Sequence, residues 1–315
     1  MNNLCARALL ASITIAIGGC SRPANATAAW NVRFGPVLDG DLIVGRTMSE
    51  RTVWIATAGD ALVRIDLNGA TYARNQMRPL APGEHVWGLA SSGPREMWTL
   101  VGRNVLAQVD ETGLITRRIA LAQPHVGLFG AGRELVYQVM SFHPPEDALS
   151  ASPPGGTKRH VWGSMRTRAL PLNRGSVAAL NLVSCGATAG IYTPCWFPDQ
   201  PAVTLTDGMG LSREVSLDGL PVTTPELLLA SDNPRRPVRD AFVSVSNDIW
   251  VLGSGEPPKE DLSERPGGWL LARYDSYGRL FRRIQLAQPA RLVLSAQDDR
   301  CLLLAWDGRV VEVRP

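Results

Sequence analysis

Short apolar runs separated by turn residues fill the chain from Trp30 to Val313, and no long stretch repeats with a helical period. That alternation predicts strands and an all-β fold. A recurring unit is legible in the runs. It is a strand with a tryptophan, a turn, a strand ending in aspartate, a turn containing glycine, and a strand rich in arginine and isoleucine. Thr52-Val53-Trp54-Ile55 leads to Leu62-Val63-Arg64-Ile65-Asp66 and Gly69. Glu96-Met97-Trp98-Thr99 leads to Leu106-Ala107-Gln108-Val109-Asp110 and Gly113. Asp248-Ile249-Trp250-Val251 leads to Leu271-Ala272-Arg273-Tyr274-Asp275 and Gly278. The Asp-x-x-Gly spacing has a mechanical reason: aspartate opens a type I turn, and glycine takes the positive φ that closes the hairpin.

Two units end almost identically, Arg117-Arg118-Ile119-Ala120-Leu121-Ala122-Gln123-Pro124 against Arg282-Arg283-Ile284-Gln285-Leu286-Ala287-Gln288-Pro289. A further apolar run, such as Val86–Ala90 or Ala241–Val245, precedes the tryptophan strands. Four strands then recur every roughly 40–45 residues, the period of a β-propeller blade. Weaker units run from Val126 to about Leu172 and from Val177 to Leu217. The C-terminal unit holds only three strands, Arg291–Leu294, Arg300–Ala305 and Arg309–Val313. The spare strand Trp30–Phe34 would pair with it and close the ring, leaving no blade unpaired. The expectation is a six-bladed propeller, within a range of five to seven, over residues 30–315. Trp54, Trp98 and Trp250 share one repeat position and read as packing between blades rather than as a stacking ring for a ligand.

Composition adds little chemistry. Apolar residues make up 45% of the 315, enough for a sizeable core, and 30 Gly with 23 Pro suit many turns. A net charge of +3 is too small to argue for nucleic acid. Lys158 and Lys259 are the only lysines among the basic residues.

The N-terminus speaks to location. Arg7 precedes the apolar run Ala8–Ile17, too short to span a bilayer comfortably and in keeping with an export signal. Ile17-Gly18-Gly19-Cys20 follows and resembles the lipobox of bacterial lipoproteins. That resemblance implies lipidation of Cys20, a signal over residues 1–20 and a tether over 21–29. Ser21 in this setting implies the periplasmic face of the outer membrane. Acyl carbons at about 0.8 kcal/mol each would then hold the protein on a membrane. Ordinary cleavage after Ala26-Thr27-Ala28 is the alternative. In an oxidising compartment Cys185 and Cys195, close in sequence about a glycine-containing turn, are candidates for a disulfide. Cys301, inside an apolar run, reads as an inert core thiol. No cysteine or histidine spacing suggests zinc, and no metal or cofactor is expected.

In a propeller the D-to-A and B-to-C connections emerge together around the channel mouth. Three long segments fall there: Ser141–His160 with Pro144 and Pro145, Asp218–Arg239, and Gly255–Gly268 with Lys259. Long connections on one face suggest a binding surface. The residues leading into each inner strand should line the mouth: Asp39 or Asp41, His85, His125, Arg239 with Asp240, and Arg291. His85 and His125 hold matching places and are candidate catalytic groups for proton transfer. The repeat style, as in Val63-Arg64-Ile65-Asp66, resembles propellers of the SMP-30/gluconolactonase and streptogramin-lyase kind. The lactonases' metal-binding carboxylate and Asn set does not map onto this chain, and the lyases' mouth histidine has only His85 or His125 as a counterpart. Two readings result. One is a lipid-anchored, monomeric, non-enzymatic propeller that holds an envelope protein or polymer on its loop-bearing face. The other is an enzyme acting on a small molecule through His85 and His125.

Overall fold

The computed structural model describes residues 26–27, 29–38, 40–49, 51–68, 70–93, 96–102, 104–121, 125–131, 134–139, 149–152, 160–161, 184–196, 200–207, 212–220, 236–254 and 268–314. Among them every regular element is a strand. The chain begins with β1 (Ala26–Thr27) and β2 (Ala29–Phe34). The first blade follows as β3 (Ile43–Ser49), β4 (Thr52–Thr57), β5 (Ala61–Asp66) and β6 (Thr71–Gln76), hydrogen-bonded in that order. The second is β7 (Val86–Gly93), β8 (Glu96–Val101), β9 (Val105–Val109) and β10 (Ile115–Ala120). The third is β11 (His125–Ala131), β12 (Glu134–Val139), β13 (Leu149–Ser152) and β14 (His160–Val161).

In the fourth blade the inner strand is split by Gly186 into β15 (Ser184–Cys185) and β16 (Ala187–Thr188). Its other strands are β17 (Tyr192–Trp196), β18 (Ala202–Asp207) and β19 (Ser212–Ser216). The fifth is β20 (Asp240–Val243), β21 (Ile249–Gly253), β22 (Gly268–Tyr274) and the start of β23 (Leu280–Gln297). The end of β23 opens the sixth with β24 (Arg300–Ala305) and β25 (Val310–Arg314). The described strands therefore form six four-stranded groups, the architecture of a β-propeller. The strand expected to close the ring does so. β2 lies antiparallel to β25, with Trp30 opposite Val313 and Val32 opposite Val311.

Two details differ from the sequence reading. Pairing begins before Trp30, because Ala26 and Thr27 of β1 lie parallel to Ile284 and Gln285 of β23. The segment Ser141–His160 also contains a strand, β13, paired with β12 from Leu149 to Ser152. Leu149-Ser150-Ala151-Ser152 is small and polar on alternate positions, so it carries none of the bulky apolar signal that marks the other strands.

The repeat residues explain themselves in place. Trp54, Trp98 and Trp250 are buried in the cores between sheets. Each would contribute roughly 2–3 kcal/mol by leaving water. Arg64 and Arg273, directly across the ladder from Trp54 and Trp250, lay their guanidinium groups over the rings at 5.6 Å. The aspartates close turns. Asp110 Oδ1 accepts from the N–H groups of Thr112 (2.8 Å) and Leu114 (2.9 Å), and Asp275 Oδ1 from those of Tyr277 (2.8 Å) and Arg279 (2.9 Å). Gly113 and Gly278 follow at φ +85° and +87°.

Candidate functional site

Three inner strands meet at the centre of the ring through one ion pair. Arg46 on β3 donates from Nη2 to Asp240 Oδ1 on β20, and also to the Ala241 carbonyl at 3.1 Å. Its Nη1 donates to the Val293 carbonyl on β23. The other carboxylate oxygen, Asp240 Oδ2, accepts from the Val293 N–H at 2.6 Å. Both charged side chains are buried, 5% and 4% exposed. Burial holds the Asp240 carboxyl above the ordinary aspartate range, while the Arg46 guanidinium and the Val293 N–H oppose that shift. Neighbouring inner strands are also in direct contact. β16 pairs in parallel with β20, Ala187 opposite Phe242. A Cβ on Gly45 would lie 2.2 Å from the Leu89 nitrogen, so β3 and β7 touch where only glycine fits.

The mouth residues read from the sequence lie around this lock. Asp240 is not on the rim; its side chain is committed to Arg46. Arg239, its neighbour, turns the other way. Its Nε donates to Ser254 Oγ at 2.8 Å, and the same oxygen accepts from the Arg236 N–H at 2.7 Å. The Ser254 N–H returns a bond to the Arg236 carbonyl at 3.1 Å. The segment leading into β20 and the start of the β21–β22 connection are therefore stitched together on one face. Burial and the nearby Arg236 charge push the Arg239 guanidinium down to about 10, and burial lowers Arg236 as well. Arg236 Nε is buried without a hydrogen-bond partner.

Arg291 donates to the Asp41 carbonyl at 2.5 Å and lies 5.3 Å over the Trp306 ring. Burial lowers its pKa and Asp41 partly restores it. The Asp41 carboxylate takes both terminal nitrogens of Arg74, at 2.6 and 3.0 Å. His85 stands exposed on the same face, with Nδ1 3.2 Å from Asp60 Oδ2; Asp60 Oδ1 accepts the Val86 N–H at 2.9 Å. Asp60 sits in the β4–β5 turn, so a turn of one blade orients the imidazole of the next.

His125 opens β11 opposite Val139; its side chain lies outside the description, as do Asp39, Pro144, Pro145, Lys259 and Cys20. Cys185 and Cys195 are cross-strand partners on β15 and β17 and are joined as a disulfide. Cys301 is buried and free. Among the described residues no three His, Cys, Asp or Glu side chains gather into a metal-ligand group.

Arg46 and Asp60 escaped the sequence reading. Arg46 interrupts the apolar run Ile43-Val44-Gly45, which is a signal for a buried charge, but one arginine in a strand reads equally well as an exposed side chain. Asp60 looks like turn chemistry and only its three-dimensional neighbour makes it more.

The channel centre and a rim of arginines, aspartates and one oriented imidazole define a propeller whose polar groups mostly satisfy one another. No family model and no curated protein matches the chain. Solved structures do. One is regucalcin, a calcium-binding protein from Agrobacterium tumefaciens, at 13% identity over 91% of this chain and 95% of that one, TM-score 0.52. Another is a luciferin-regenerating enzyme, at 10% identity over 91% and 95%, TM-score 0.53. A third is virginiamycin B lyase from Staphylococcus aureus, at 13% identity over 92% and 88%, TM-score 0.47. At such identities the first two likenesses establish the propeller fold and nothing finer.

Proposed function

We propose that this chain is a non-enzymatic binding propeller that holds a partner on its loop-bearing face. One observation carries the reading: the ring centre is filled by the protein's own Arg46–Asp240 pair, with Val293 completing it. The pair's hydrogen bonds run to each other and to Ala241 and Val293 within the protein, which favours the rim over the ring centre as the place where a partner is met. The rim remains, with Arg239 and Arg291 anchored to it, and Pro144, Pro145 and Lys259, outside the described residues, are proposed as further contacts.

The lipobox-like Ile17–Cys20 stretch would tether this rim at the periplasmic face of the outer membrane, and tethering raises the effective concentration of an envelope protein or polymer. The chain would act as a monomer without a cofactor. The test is capture from an envelope fraction by the intact chain and by a variant whose residues 142–147 are replaced with Gly and Ser. The variant should lose partners that the intact chain retains. Recovery of the same partners by both would remove that connection from the contact. In the same fractions Cys20→Ala should move the protein from membrane to soluble material.

A second reading rests on the Asp60–His85 pair, since a carboxylate that orients an exposed imidazole is the arrangement a general base requires. Turnover of a lactone or another small electrophile that disappears in His85→Ala, with folding intact, would establish it over the first.

A further inference from the structure

The inner strands of a propeller all run the same way, so their far ends gather on the face opposite the long connections. There the structure holds a cavity of about 530 Å³. Met48 at the end of β3, Ala189 just after β16, Val245 just after β20 and Ser295–Gln297 at the end of β23 all line it. Four blades thus contribute the same part of their inner strand. Met48 stands two residues beyond Arg46, on the same sheet face, one pleat further from the loop-bearing side.

The lining is of two kinds. Met48, Leu67, Val245 and Leu302 present hydrocarbon, and Val245 is 70% exposed although apolar. Arg33, Arg51 and Arg300 line it together with one carboxylate, Glu312. That carboxylate is already engaged, by Arg314 Nε at 2.5 Å and Arg33 Nη1 at 3.4 Å. Arg51 donates to Asn68 Oδ1 at 2.8 Å, a neutral acceptor. The volume falls inside the range of about 300–1,000 Å³ typical of small-molecule sites, and an apolar wall with a few convergent charges is their usual composition.

We propose that this cavity is a binding site for a small amphipathic anion, an organic carboxylate with an apolar body such as a medium-length alkyl chain. Its hydrocarbon would lie against Met48, Val245 and Leu302, and its carboxylate would meet Arg51 and Arg300 by charge-assisted hydrogen bonds. The site is on the face away from the rim, so it stands or falls independently of the partner-binding role.

Calorimetric titration of the folded chain with decanoate, below its micelle concentration, tests it. Saturable one-to-one binding is expected. It should weaken at least ten-fold in Arg51→Ala/Arg300→Ala, and likewise in Val245→Asp, which places a like charge where the chain should pass. Decanol should bind the wild type more weakly than decanoate. In the first variant the exposed Asn68 loses its Arg51 donor and Glu312 loses the nearby Arg300 charge, and an unchanged melting temperature verifies the fold in both variants. Absence of saturable binding overturns the proposal, and so does binding that neither variant weakens.

Discussion

Replacing Asp240 by Asn would leave the Arg46 guanidinium buried with only carbonyls and an amide around it. Breaking one half of a buried pair costs about 3–5 kcal/mol, because the remaining charge has no compensation. Replacing both, Arg46→Met with Asp240→Leu, removes both desolvation penalties and should cost far less than the single change. Urea denaturation of the three proteins reads the difference; equal losses in the single and double variants would mean the pair is not what holds β3, β20 and β23 together. How legible these residues were depends on what marks them. Asp240, Arg239 and Arg291 stand out because they precede apolar runs at matching repeat positions. Their roles do not follow from that register, since Asp240 turns inward to Arg46 and Arg239 turns to Ser254. A strand's period says which face a side chain takes, not which residue from a distant blade it meets.

Among the elements, the hairpins with Asp-x-x-Gly were the easiest to read, because their chemistry is local. Asp110 and Asp275 do what the spacing says, and Gly278 adopts the positive φ that the turn requires. The structure adds a second constraint that no spacing announces: a Cβ on Gly278 would sit 1.9 Å from the Ser216 carbonyl oxygen of the preceding blade. Gly278→Ala therefore meets both an unfavourable backbone conformation and a clash between blades. We expect a loss of about 2–4 kcal/mol by chemical denaturation, well above the ~1 kcal/mol of positive φ alone. A loss near 1 kcal/mol would show that the blades separate easily there. The third blade was the hardest element to trace, since β13 has no bulky residue beyond Leu149 to announce it.

For the molecule as a whole, the seam between β2 and β25 completes the ring, and its charges sit beside it. Arg314 holds the Glu312 carboxyl below its usual 4.5, with Arg33 and Arg300 adding to the effect against burial. A carboxylate whose folded pKa is depressed stabilises the fold fully above the unfolded value and loses that contribution as pH falls through the folded one. Stability should therefore decline below about pH 4.5, and Glu312→Gln should flatten that decline while lowering stability at pH 7. Denaturation midpoints at pH 7, 5 and 3 for both proteins measure it; parallel curves would place the acid sensitivity elsewhere.

The pairing of Trp30 with Val313 has a kinetic corollary. Its two strands come from opposite ends of the described chain, so forming that ladder closes a loop that encompasses every blade, and the entropy of closure must be met before the contact returns anything. Folding should accordingly be slow, with a late step that Val32→Pro would abolish in refolding traces while leaving the earlier, blade-local phases in place.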